Sequence, residues 1–103
     1  MNGLLSGKRI VVTGAARGLG YHFAKACAEQ GAAVVMCDIL KGELAESAHG
    51  LSEQGHAIEA HAIDLADPHS IEQAFSAIGE QGQIDGLVNN AAMATGVGGK
   101  NML

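Results

Sequence analysis

The chain has 103 residues, 48% hydrophobic and 17% charged, with six Lys plus Arg against eleven Asp plus Glu for a net charge of −5. That length allows one domain with a modest core, burying about 60–68% of the unfolded surface, and the apolar content excludes a disordered chain. The acidic balance excludes binding to a nucleic-acid backbone or an anionic membrane surface, no apolar run approaches the ~18 residues of a membrane span, and the N-terminus lacks a secretory pattern.

In chain order, short apolar runs alternate with helical spacing. Arg9-Ile10-Val11-Val12 is a β-branched run that stops at Thr13-Gly14. Leu19, Phe23, Ala26 and Cys27 then recur as one face of a helix that Gly31 ends. Ala32 to Cys37 is a second continuous apolar run, closed by Asp38. Leu44, Ala48 and Leu51 fall at helical spacing, and Gly55 closes that segment. Ile58, Ala60 and Ala62 alternate with Glu59 and His61, which fits a strand at a sheet edge. Asp67-Pro68 reads as an N-cap followed by proline in the first turn, ahead of the stripe Ile71, Ala74, Phe75 and Ile78. Ile84 to Val88 is a fourth strand, with Asp85 at its start, and it leads into Asn89-Asn90-Ala91-Ala92. The order β-α-β-α-β-α-β predicts an α/β fold with parallel strands and right-handed crossovers. Residues 93–103 show no period and read as loop.

Thr13-Gly14-Ala15-Ala16-Arg17-Gly18-Leu19-Gly20 follows a strand and opens a helix, the setting a phosphate-binding turn requires. Gly14 permits the tight turn, Gly18 lets backbone approach a pyrophosphate, and Gly20 lets the helix pack closely. The helix N-terminus offers free N–H groups and a partial positive charge. Asp38 ends the second strand 18 residues past Gly20, close to the spacing of a ribose-binding acid.

Other candidates read as structural. Tyr21 and Lys25 stand four apart, but on the helix that faces the phosphates, so they form a surface pair. The five histidines have no metal-ligand spacing and belong to the surface or an edge, so no metal is expected. Cys27 and Cys37 are not in a CxxC pair and read as buried residues of a reduced, intracellular protein.

The motifs together resemble the short-chain dehydrogenase/reductase family. Its TGxxxGxG signature matches residues 13–20, its Asn-Asn-Ala-Gly stretch appears as Asn89-Asn90-Ala91-Ala92 with Ala for the last Gly, and its acidic residue after the third strand matches Asp64, beside Leu65. The resemblance implies a Rossmann-type doubly wound parallel sheet, with strand order 3-2-1-4 in this portion and the rest of the sheet absent. Residues 1–92 would be the dinucleotide-binding part and 93–103 a loop toward a missing catalytic half. It implies that Gly14, Arg17, Gly18, Leu19 and Gly20 line the pyrophosphate, that Asp38 and Ile39 hold the adenosine ribose, that Asp64 and Leu65 meet the adenine, and that Asn90 and Ala91 meet the ribose region. Asp38 favours NAD over NADP, since a 2′-phosphate would face a carboxylate, although Arg17 would partly offset this.

The activity implied is hydride transfer between NAD(H) and an alcohol or carbonyl substrate, in a cytoplasmic protein whose full-length form is a homo-oligomer. The family's catalytic Ser, Tyr-x-x-x-Lys and Asn lie beyond the Asn-Asn-Ala stretch, so this chain alone is expected to hold no catalytic residue and to be inactive. A non-catalytic dinucleotide-binding module or fragment is the alternative, and an S-adenosylmethionine-dependent transferase a more distant one. With strand four left at an open edge, a chain ending at Leu103 is expected to be unstable or to associate.

Overall fold

A computed structural model describes residues 3–90. Four strands form one parallel sheet in the order β3-β2-β1-β4. They are β1 (Arg9–Thr13), β2 (Ala33–Asp38), β3 (Ile58–Ala62) and β4 (Gly86–Asn89), alternating with α1 (Gly18–Glu29), α2 (Lys41–Glu53) and α3 (Pro68–Glu80). The two central strands are apolar along their length because both their faces are covered. Ile10, Val12, Val34 and Met36 pack under α1 and α2, with Leu44, Ala48 and Leu51 of α2 above them. On the other side Val11, Val35 and Cys37 pack under Ala74 and Ile78 of α3. The expected parallel α/β architecture and its strand order are therefore present, and Asp67 caps α3 by accepting from the His69 N–H at 3.0 Å, with Pro68 in the first turn.

Three local expectations need correction. The buried face of α1 is Gly20, Ala24 and Ala28, whereas Leu19 and Phe23 point outward at 56% and 37% exposure. Small residues let this helix lie close to the sheet, so the larger side chains cannot occupy the contact. The alternation of β3 also runs the other way from its polarity. Ala60 and Ala62 are exposed, while Glu59 and His61 are half-buried. Finally, β4 begins at Gly86, and Asp85 stands just before it. The Asp85 carboxylate accepts the Arg9 N–H at 2.8 Å, and the Asp85 N–H donates to the Arg9 carbonyl at 2.8 Å, so this residue pins the start of β1.

The polar face of β3 is explained by Arg9. Its guanidinium donates to the Ile78 and Gly82 carbonyls at 2.8 and 2.9 Å and pairs with Glu59 at 2.8 Å, while His61 Nε2 lies 2.7 Å from the other Glu59 oxygen. A cation thus sits at the C-terminal end of α3, against the partial negative charge of its last carbonyls. Burial alone would raise the Glu59 carboxyl, but the hydrogen bonds and charges of Arg9 and His61 bring it below its ordinary value. A carboxyl lowered on folding adds stability above its unfolded-state value, and that stability fades as pH falls through the folded value. Arg9→Met is expected to destabilise the fold by about 2–4 kcal/mol at pH 7, since it removes the charged donor shared by a part-buried carboxylate and the Ile78 and Gly82 carbonyls. Urea unfolding between pH 7 and pH 3 checks this. The loss caused by the substitution should shrink toward the acid end.

Candidate functional site

The carboxyl ends of parallel strands are where ligands bind in open α/β sheets. Here the turn after β1 is fixed peptide by peptide. Gly14 and Gly18 both have positive φ, at 68° and 63°, which L side chains rarely adopt. A Cβ built on Gly20 would collide with the Gly14 carbonyl oxygen and come within 2.7 Å of Asn90 Nδ2. The first turn of α1 therefore touches the phosphate turn itself, a tighter contact than packing on the sheet. Arg17 is the N-cap and its side chain makes no capping bond, so the N–H groups that open α1 are not answered by it.

Asp38 is only 9% exposed. Its Oδ2 accepts the Ala16 N–H at 2.9 Å and its Oδ1 accepts the Leu40 N–H at 3.0 Å. The predicted ribose-binding acid thus also ties the phosphate turn to the start of α2. A carboxylate oxygen can accept more than one hydrogen bond, so both roles are compatible. Past β3, Asp64 Oδ1 accepts the Ala66 N–H at 2.9 Å and the Asp64 N–H donates to Ser70 Oγ at 2.9 Å. A cleft of about 150 Å³ runs between these segments, with Asp38 and Ile39 on the β2 side, Ile63, Asp64, Leu65 and Ala66 on the β3 side, and Gly14 also in its lining. Its lining is mostly apolar, with carboxylates at hand, which suits a flat heteroaromatic ring. Ile39, 61% exposed, is a large apolar side chain beside the cleft.

The structure thus brings Gly14, Arg17, Gly18, Leu19, Gly20, Asp38, Ile39, Asp64 and Leu65 to one edge of the sheet. Asn90 joins them by donating from Nδ2 to the Gly14 carbonyl at 3.3 Å, and Ala91 lies outside the described residues. Sequence reading missed Thr13, whose hydroxyl reaches Asn89 Oδ1 at 3.0 Å, and Ser47, whose hydroxyl donates to the Ala16 carbonyl at 2.6 Å. Only the motif position of Thr13 hinted at such a role; nothing in the spacing marked Ser47.

A wider groove of about 570 Å³ lies at the opposite edge of the sheet, around Lys8, Arg9, Ala33, Ala57 and Asp85. Helices end there, so carbonyls face it, which disfavours a phosphate. Among the described residues there is no cluster of three or more His, Cys, Asp or Glu able to hold a metal, and no helix is long and apolar enough to cross a membrane. Tyr21 packs against the core on the α1 side rather than standing free with Lys25. Burial pushes the Cys37 thiol up to about 12, with Glu59 and Asp38 adding to the rise, so it is no thiolate nucleophile at neutral pH. Cys27 and Cys37 are both free, the first half-buried.

The short chain dehydrogenase family profile matches residues 8–102. The chain is similar to 1-deoxy-11-beta-hydroxypentalenate dehydrogenase of Streptomyces avermitilis, at 40% identity over 89 residues, covering 85% of this chain and 33% of that protein. It is equally similar to galactitol 2-dehydrogenase of Agrobacterium fabrum, at 40% identity, covering 86% of this chain and 34% of that protein. The solved structure of a citronellol catabolism dehydrogenase from Pseudomonas aeruginosa superposes with a TM-score of 0.81 at 32% identity, over 86% of this chain and 38% of the other. The chain therefore spans about a third of the length of the curated relatives it matches.

Proposed function

The chain belongs to the short chain dehydrogenase family, and from that premise we propose that it supplies the NAD-binding half of an oxidoreductase that moves a hydride between NAD(H) and an alcohol or carbonyl group. Family members bind NAD or NADP and act on small molecules. The observation that carries the NAD reading is the convergence of the glycine turn, Asp38 and the Asp64–Leu65 segment on one cleft. The residues suit the group. Gly18 adds no Cβ at the mouth of the turn and Gly20 lets α1 close on it, α1 presents its N-terminus, and Asp38 offers acceptors for the 2′ and 3′ hydroxyls of a ribose. Asn90 holds the turn in place, and its neighbour Ala91 is assigned with it to the ribose region on the family motif alone.

Charge argues for NAD over NADP. A 2′-phosphate beside Asp38 would set two negative groups together. Arg17, in the turn, is the cation that would offset this, but its Nη1 is 3.5 Å from Glu43 Oε1 in an exposed pair, so Glu43 competes for it. The bound nicotinamide supplies the hydride chemistry; residues of this chain bind and orient the adenosine and pyrophosphate. The proton-transfer groups of the family, a Ser and a Tyr-x-x-x-Lys pair, have no counterpart at the right place in residues 1–103, so this stretch alone is inactive. The full protein acts on a small alcohol or carbonyl compound in the cytoplasm as a homo-oligomer.

Isothermal titration with NAD and NADP tests the reading. One NAD per chain, with NADP bound more weakly, is the expected result. Equal binding of both would remove the NAD assignment, and no binding of either would remove the site. Turnover of alcohols by residues 1–103 alone would show that the missing-catalysis part is wrong.

A further inference from the structure

Consecutive peptide planes of the phosphate turn are held from different elements. In the first, the Ala15 N–H donates to the Cys37 carbonyl of β2 at 3.0 Å and the Gly14 carbonyl accepts from Asn90 at 3.3 Å. In the second, the Ala16 N–H donates to Asp38 at 2.9 Å. The third, between Ala16 and Arg17, is held from α2 by Ser47 Oγ, which donates to the Ala16 carbonyl at 2.6 Å. A serine inside a helix commonly turns its hydroxyl back to a carbonyl of its own helix. Ser47 instead reaches a carbonyl 31 residues away in sequence.

That bond has a directional consequence. The described chain has no cis peptide, and in a trans peptide the C=O and N–H point in opposite directions. Fixing the Ala16 carbonyl toward α2 therefore fixes the Arg17 N–H away from α2, at the opening of α1. The geometry points to Ser47 as a positioning residue for the cofactor pyrophosphate, acting through the Ala16–Arg17 peptide plane without touching the ligand. This rests on the proposed NAD site. It adds a polar side chain of α2 to the parts that set phosphate affinity, alongside the glycines and Asp38.

The test uses the protein expressed from its intact gene, titrated with NAD as parent, Ser47→Ala and Ser47→Thr. Alanine favours helix, which offsets part of the lost hydrogen bond in the fold, so Tm should fall by only a few degrees. NAD should bind about three- to tenfold more weakly to Ser47→Ala, the range expected for one hydrogen bond. Ser47→Thr keeps a hydroxyl and should restore the affinity. Hydrogen exchange at the Arg17 amide should quicken in ligand-free Ser47→Ala and return with threonine. If the parent binds NAD and Ser47→Ala binds it equally well, the inference fails while the site stands. A loss that threonine does not restore, or that comes with a Tm lowered by more than about 10 °C, makes Ser47 merely structural and also overturns the inference. A parent that binds no NAD overturns both.

Discussion

Gly20→Ala is expected to weaken NAD binding by about 10–100-fold, the scale of one lost charge-assisted hydrogen bond to a phosphate. The added methyl group meets backbone: the Gly14 carbonyl oxygen stands where the Cβ would be, with Asn90 Nδ2 also within 2.7 Å. The first is backbone, and the second is a side-chain amide held to that same carbonyl at 3.3 Å. Gly14 is held by the Ala15 bond to β2, and Asn90 follows directly on β4. Relief must come from α1 moving off the turn, which carries the N–H groups at its N-terminus away from the phosphates. Stability should fall too, by about 1–3 kcal/mol, as for other overpacked sites. Gly50→Ala is the matched control. Gly50 lies within α2, is exposed, and has nothing within 4 Å of a built Cβ. There the same methyl group should stabilise by about 0.5–1 kcal/mol through helix propensity and leave NAD binding alone. Titration and urea unfolding of the two variants decide it. A Gly20→Ala protein that binds like its parent would mean that the close approach has no bearing on the site.

The contrast between these two glycines shows what could be read from sequence and what could not. The pattern around Gly14, Gly18 and Gly20 was legible because a strand, a turn and a helix start occupy fixed positions, and Asp38 stands at a fixed distance beyond them. β1 and β2 were legible because burial on both faces leaves no polar gaps in Ile10–Val12 or Val34–Cys37. The orientation of α1 was not. Hydrophobic periodicity weights Leu19 and Phe23, whereas close packing selects Gly20, Ala24 and Ala28, and only the facing sheet decides between them. β3 misled for a related reason. Glu59 and His61 look like a solvent face until Arg9, 50 residues earlier than Glu59, arrives with its guanidinium. Ser47 is silent in the sequence, because a hydroxyl that bonds a distant carbonyl leaves no periodic trace.

Asp38→Ser is expected to reduce the preference for NAD over NADP by about 100-fold, combining a lost charge-assisted bond to a ribose hydroxyl with relief of like-charge repulsion. The structure adds a second expected effect that sequence spacing did not suggest. Both carboxylate oxygens already accept backbone N–H groups, from Ala16 and Leu40, and the Ala16 bond is buried. A serine oxygen sits on a shorter side chain and cannot answer two donors that straddle a carboxylate. At least one N–H is left unpaired, at about 1–3 kcal/mol of stability. The variant should therefore lose stability as well as preference, and NAD affinity should fall by more than NADP affinity rises. Asp38→Asn separates the two contributions. It keeps the length and one acceptor oxygen but removes the charge, so repulsion of a 2′-phosphate ends while one of the two N–H groups still finds a partner. It should approach Asp38→Ser in cofactor preference and retain more of the parent's stability. Parallel titrations with NAD and NADP, alongside urea unfolding, measure both quantities on the same samples. An unchanged NAD-to-NADP ratio in either variant would show that the Asp38 charge does not face the ribose, and would leave it only the role of tying the Ala16 and Leu40 backbone together.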